Sequence, residues 1–257
     1  MQGTINFMGI KTFIKKTLYN LKHPKKAETV IENKTFLITG ASSGIGFALT
    51  KKLIKNNKII AVCKKNYDNL KNLNSNNIKI IKCNLSNFLD YEELENTIKE
   101  NNINIILNCA GQFGSSNQAI ENIDFENLVE VFKVNSLSIL KILQIISKNN
   151  LIKNINKIIN ISSDGGSIEL NNEGNAYIYR TTKSALNSIS KNLSIDLNKK
   201  YNIKTITIDP GNVKTGMNNK GLLDANRCAE YIIDIILDTD KNFNGKFINL
   251  KKKNIPW

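Results

Sequence analysis

The sequence predicts an α/β fold, a single doubly wound parallel sheet of about seven strands with helices on both faces. Three observations point to it. From Lys34 onward short apolar segments alternate with amphipathic ones, the order of a βαβ succession. The apolar segments are nearly continuous runs of Ile, Val and Leu, as in strands buried on both faces. No repeat, long linker or change of composition divides the 257 residues, a length that one α/β domain can occupy undivided. The expected organisation is a basic N-terminal extension over residues 1–33 and one domain over residues 34–257.

Strands are expected at Phe36 to Thr39, Ile59 to Val62, Ile78 to Ile81, Ile103 to Leu107, Ile158 to Ile161, Thr205 to Ile208 and Phe247 to Leu250. Helical spacing falls between them, at Ile45 to Asn56, Tyr91 to Asn101, Phe125 to Asn149, Tyr179 to Asn198 and Asn226 to Leu237. Few residues separate Met217 from the last of these helices, so little chain is left to roof a site there. Ahead of the domain, residues 1–26 hold no acid and six lysines. Ile10, Phe13, Ile14, Leu18 and Leu21 recur at near-helical spacing before Pro24, the pattern of a short basic amphipathic helix. Such a segment suits peripheral contact with an anionic membrane or packing on its own domain, and a translation start misplaced upstream of Met8 is the further alternative. A transit peptide fits less well, because the cations are lysines.

The hydrophobic content of 41%, with no apolar run near twenty residues, describes a globular protein and excludes a membrane-spanning one. The net charge of +14 invites a nucleic-acid reading. It is spread along the chain, however, and is nearly all lysine, with Arg180 and Arg227 the only arginines. Phosphate and base recognition favour clustered arginine with aromatics, so no specific nucleic-acid partner is expected. The four cysteines, Cys63, Cys83, Cys109 and Cys228, lack metal-ligand spacing. They read as free thiols in a reducing compartment, the cytoplasm. For Cys109 a small buried thiol outweighs a redox role. His23, the only histidine, lies in the extension, which argues against a histidine-dependent triad.

Chemistry concentrates after two strands. The first runs into Thr39-Gly40-Ala41-Ser42-Ser43-Gly44-Ile45-Gly46 and then a helix, a turn in which glycines let a pyrophosphate approach backbone N–H groups at a positive helix end. The second strand ends Ala61-Val62-Cys63-Lys64-Lys65. A carboxylate there would hold the ribose 2′-OH of NAD, whereas a cation receives the 2′-phosphate of NADP. With no acid in reach, Lys64 and Lys65 favour NADP(H), leaving NAD(H) as the alternative. After the fifth strand come Ser162, Ser163 and a Gly/Asn-rich loop, then Tyr179 and Lys183 four residues apart at the head of a helix. Positions i and i+4 share a face, and a fixed ammonium draws a phenol pKa down from about 10 toward working pH. Ser162 or Ser163 adds a hydroxyl at the strand's carboxyl end. Small residues, Asn108-Cys109-Ala110-Gly111, end the fourth strand, and Asn135 interrupts an apolar helix, where a buried amide must find partners. It is a structural link or part of a proton relay.

TGASSGIG, NCAG, Asn135, the Ser162-Ser163 pair and YRTTK, in this order and spacing, resemble the short-chain dehydrogenase/reductase superfamily over Lys34 to Trp257. GSIELNNEGNAYIYRTTKSALN, PGNVKTGM and GKFINLKKKNIPW are similar to segments of its C-factor and Sniffer-type carbonyl reductases. The resemblance implies a Rossmann-like sheet and hydride transfer between NADP(H) and a small-molecule carbonyl or alcohol. It implies Tyr179 as general acid in reduction, Lys183 lowering its pKa and bonding the nicotinamide ribose, Ser163 polarising the carbonyl, and Asn135 holding a relay water. Cofactor contacts are implied for Gly40, Ser42, Ser43, Gly44, Ile45, Gly46, Lys64, Lys65, Asn84, Leu85, Asn108, Ala110, Gly111, Tyr179, Lys183, Pro210, Gly211, Val213 and Thr215. Asn84-Leu85 stands where the family has Asp and an apolar residue, and Gly216 replaces an Asp.

The leading expectation is an NADP(H)-dependent oxidoreductase. The alternative is a dinucleotide-binding regulatory or membrane-peripheral protein of little turnover. A homo-oligomer through the helices Phe125 to Asn149 and Tyr179 to Asn198 is a family expectation, with Leu140, Leu143, Leu186 and Ile189 as candidate outer-face residues.

Overall fold

Each segment expected to be a strand is one in the computed structural model, which describes residues 30–238 and 242–257. The strands are β1 Thr35–Thr39, β2 Lys58–Cys63, β3 Ile78–Lys82, β4 Ile105–Asn108, β5 Lys157–Ile161, β6 Lys204–Asp209 and β7 Phe247–Asn249. All pair in parallel, in the order β3-β2-β1-β4-β5-β6-β7. The order reverses direction at β1, between β2 and β4, and a doubly wound sheet opens its crevice outside the strand ends at such a point.

Strand composition follows from burial on both sides. Phe36 and Ile38 of β1 join one core, with Ile59 and Ala61 of β2, while Leu37, Ile60 and Val62 point into the other. Successive side chains alternate faces, so most positions are apolar when both faces are covered.

The helices are α1 Gly44–Leu53, α2 Asp68–Lys71, α3 Glu92–Glu100, α4 Phe125–Phe132, α5 Ser138–Lys148, α6 Tyr177–Tyr201 and α7 Ala225–Leu237. Helices α1 and α7 cover the first core through Leu49, Leu53, Ile232 and Ile236. The other core takes Leu94 and Ile98 of α3, Ile139 and Ile142 of α5 and Leu186 of α6. Asparagine serves the turns: Asn33, Asn66, Asn74, Asn150, Asn175 and Asn202 all have positive φ. Asn is among the side chains that best tolerate this region, and Asn202 ends α6 there.

Three expectations change. Phe125 to Asn149 is not one regular α-helix, because a π-turn over Lys133–Leu137 separates α4 from α5. The α2 turn was not foreseen, and α6 begins two residues before Tyr179. Leu143 and Leu186, expected on an outer face, are 5% and 1% exposed and belong to the core; Leu140 is exposed, and Ile189 packs partly buried against the same core. The basic helix expected within residues 1–26, and His23, lie outside the described residues. Among the described residues no helix is long and apolar enough to cross a membrane, and the four cysteines are free thiols.

Candidate active site

The β1–α1 turn is shaped by what a side chain would strike. Gly40 has φ +65°, and a Cβ there would lie 2.9 Å from Ala110 backbone; at Gly46 it would lie 2.3 Å from the Gly40 carbonyl. The turn is thus pressed against the end of β4, and only glycine fits at both positions. Helix α1 starts at Gly44 with no side-chain cap from Ser43 and no acid in its first turn, so its amino-terminal N–H groups and positive dipole end are free to meet an anion.

A cleft of about 190 Å³ opens beside this turn, lined among others by Gly40, Ser42, Lys64, Lys65, Asn84, Leu85, Ala110 and Gly111. These expected residues are brought together; others are not. Asn108 turns inward, accepting from Thr39 Oγ1 at 3.0 Å and donating to Asn160 Oδ1 at 3.2 Å. Asn160 in turn donates to Ser190 Oγ at 2.8 Å, completing a buried polar chain across β1, β4, β5 and α6. Thr39 Oγ1 also accepts from the N–H groups of Cys109 and Ala110, each at 3.1 Å, which fixes the backbone beside the cleft. Val213 is core, with Ile45 packed against that core, and Pro210 is buried. Asn84 Oδ1 accepts from the Ser86 N–H and hydroxyl, so the acceptor left where the family has Asp is used in its own turn.

Past Gly111 the cleft leads to the second cluster. A Cβ on Gly111 would stand 3.5 Å from Lys183 Nζ, 3.7 Å from Asn135 Oδ1 and 3.9 Å from Met217 Cε, so the bare Gly111 backbone borders all three. Lys183, only 4% exposed, donates to the Ile161 carbonyl at 2.9 Å and lies 5.9 Å from the centre of the Tyr179 ring. Ser162 is committed elsewhere: its hydroxyl donates to Asn187 Oδ1 at 2.6 Å in the interior. Ser163 faces the site. Its Oγ accepts from the Gly165 N–H at 3.0 Å and donates to Asp164 Oδ1 at 3.1 Å. Gly165 fills the space between, since a Cβ there would lie 3.3 Å from Ser163 Oγ and 3.5 Å from Tyr179 Cε1.

Burial dominates the electrostatics. It pushes the Tyr179 phenol up from its ordinary value; a hydrogen bond with Ser163 opposes this, and Asp209 and Asp164 add to it. The net direction is upward, so desolvation outweighs the lowering expected from a neighbouring ammonium. Lys183 itself is brought down to about 8, burial again being the cause. Cys109 and Cys83 are pushed up to about 12 by burial, which keeps both as thiols.

Asn135 is fully buried and fully used. Its Nδ2 donates to the Gln112 carbonyl and to Thr182 Oγ1, both at 2.9 Å, and its Oδ1 accepts from the Gln112 N–H at 2.8 Å. The π-turn places this amide against the irregular segment that follows β4.

Gln118 and Asp209 were missed in the sequence. Gln118 is buried; its Oε1 accepts from the Tyr179 N–H at 3.1 Å, in the first turn of α6, while its Nε2 holds the Phe113 and Ser115 carbonyls at 2.9 Å. The Phe113 ring is 5.0 Å from that of Tyr179. Asp209 Oδ1 accepts from the Asp164 N–H at 3.2 Å and the Gly211 N–H at 3.0 Å, tying the Ser163 turn to the loop after β6. The one sequence signal was an acid at a strand end before Pro210. Gly216 has open space around it, and backbone bonds anchor its loop instead: Lys214 N–H to Leu223 O at 2.8 Å and Thr215 N–H to Asn218 O at 3.0 Å. Only six residues, 218–223, lie between Met217 and Asp224, which caps α7.

Comparison with known proteins matches this arrangement. Residues 34–225 fit the family model described as short chain dehydrogenase. An uncharacterized oxidoreductase of Saccharomyces cerevisiae is 29% identical, the match covering 72% of this chain and 62% of that protein's length. The 3-oxoacyl-acyl-carrier-protein reductase of Rickettsia prowazekii is 33% identical over 74% of this chain and 77% of its own. Among solved structures, the carbonyl reductase Sniffer of D. melanogaster superposes with a TM-score of 0.80 at 28% identity, covering 88% of this chain and all of that one. The turn at Gly40 to Gly46, the seven-stranded order and the matched residues together place this chain in the short-chain dehydrogenase/reductase family of oxidoreductases.

Proposed function

We propose that the protein is an NADP(H)-dependent reductase of carbonyl compounds, or dehydrogenase of the corresponding alcohols, with Tyr179 as the general acid in reduction. The observation that carries this reading is that a cleft lined by Lys64, Lys65 and Gly111 ends beside Lys183, whose Nζ borders Gly111 and lies 5.9 Å from the centre of the Tyr179 ring. The open cleft, the uncapped start of α1 and the bare backbone at Gly40 and Gly111 fit a dinucleotide. Lys64 and Lys65, with no acid on that strand end, support a 2′-phosphate over a free 2′-OH. The 28% identity to a protein named a carbonyl reductase supports the substrate class.

When bound, the cofactor supplies a hydride to the carbonyl carbon. The chain's residues manage the proton. Burial keeps Tyr179 protonated at neutral pH, so its hydroxyl is a donor to the carbonyl oxygen. Ser163 Oγ, by turning its proton from Asp164 toward that oxygen, polarises it. Lys183, charged below about pH 8, would stabilise the phenolate left after transfer and, lying beside Gly111, would bond the nicotinamide ribose of a bound cofactor. The Asn135 side chain holds the Gln112 backbone and Thr182 in place beside Gly111. Phe113 and Met217, both partly exposed, give the open mouth an apolar wall.

The test is a titration with NADPH and NADH, followed by a panel of aldehydes, ketones and diones watched for cofactor oxidation and alcohol formation. Tighter binding of NADPH and turnover of a carbonyl are expected. Dinucleotide binding with no turnover across the panel would overturn the reductase reading.

A further inference from the structure

At the far end of the cleft Lys64 is not free to serve a phosphate alone. Its Nζ forms an ion pair with Glu130 Oε1 at 3.0 Å. Glu130 belongs to α4 and stands one turn before Val134, which lines the cleft, so the pair spans the rim from the end of β2 to that helix. Both side chains are well exposed, 44% and 40%, and an exposed pair contributes little to folding. Its consequence lies in what it does to an incoming charge. Lys65, beside it, has no ion pair among the described residues.

We propose that Glu130 is a specificity-determining residue that restrains recognition of the 2′-phosphate, an inference that rests on the dinucleotide-binding reading above. A phosphate approaching Lys64 meets a carboxylate already holding the same ammonium. It must share that cation and sit within a few ångströms of a like charge, whereas a ribose carrying only hydroxyls meets no such repulsion. The loss of preorganised Lys64 on removing Glu130 is small, because the pair is solvated and its rotamers are loosely held. Repulsion of a doubly charged phosphate at about 5 Å in largely aqueous surroundings is larger, and salt screens it. Glu130 therefore lowers the preference for NADPH over NADH below what Lys64 and Lys65 would otherwise give.

Calorimetric titration of NADPH and NADH into wild type, Glu130→Gln, Lys64→Met and the double variant decides it. Glu130→Gln is expected to bind NADPH about three- to tenfold more tightly, with NADH affinity unchanged within about twofold and the gain shrinking at high salt. In the Lys64→Met background the same change should yield a smaller gain, since the shared cation is gone. Unchanged or weaker NADPH binding by Glu130→Gln, or equal tightening for both cofactors, overturns the role of Glu130 and leaves the dinucleotide reading intact. If the wild type binds neither cofactor, the functional reading falls and takes this inference with it.

Discussion

Lys183 shows at the level of one residue what the site costs the fold. Its ammonium is buried with one backbone carbonyl as partner, and its pKa falls from 10.5 to about 8. Between those pH values the unfolded chain holds a proton that the folded chain has released, so stability rises with pH across that window and the full cost is felt below about pH 8. The shift corresponds to about 3 kcal/mol at most. Urea midpoints should climb from pH 8 to 10 more steeply in the wild type than in Lys183→Met; equal slopes would show that the buried charge is not what destabilises. Asp209 is the opposite case. Burial raises its pKa, so its acceptor geometry matters more than its charge. Asp209→Asn keeps the acceptor and should unfold within about 1 kcal/mol of wild type at pH 7, whereas Asp209→Ala strands two N–H groups and should lose about 1–3 kcal/mol. Urea unfolding of both variants checks this, and equal losses in the two would contradict it.

Among the elements, the π-turn over Lys133–Leu137 and the Gly-rich turn set where the site lies. Asn135→Ala would leave the Gln112 N–H and carbonyl without their side-chain partner, with an expected loss of about 3 kcal/mol and faster amide exchange at Gln112; unchanged exchange there would refute the link. The strands were legible because burial on both faces demands continuous apolar runs, and the Gly40–Gly46 turn because glycine is the sole solution to its contacts. The π-turn was not legible as such. An inserted residue leaves the apolar spacing on either side intact, and Asn135 within it was the only sign. Gln118 and Asp209 escaped for another reason: the bonds that tie them to Tyr179 and Asp164 span 61 and 45 residues, so no local pattern reveals them. The approach of Lys183 to Tyr179 was legible because positions i and i+4 share a helix face, whereas the choice of Ser163 over Ser162 rested on the family resemblance.

Taken whole, the molecule joins a strongly basic chain to a cleft at the carboxyl ends of β1, β2, β3 and β4. The charge of +14 is dispersed lysine, so duplex DNA at physiological salt should bind no more tightly than about micromolar, the ordinary non-specific range; anisotropy showing sub-micromolar binding there would contradict this. The proposed function requires that cofactor recognition at Lys64 and Lys65 be separable from proton delivery at Tyr179. The most direct measurement is NADPH affinity and carbonyl turnover in the same preparation of Tyr179→Phe. Affinity within about threefold of wild type with turnover reduced at least about a hundredfold is the predicted result, and turnover within a few fold of wild type would contradict the assignment of Tyr179 as the proton donor.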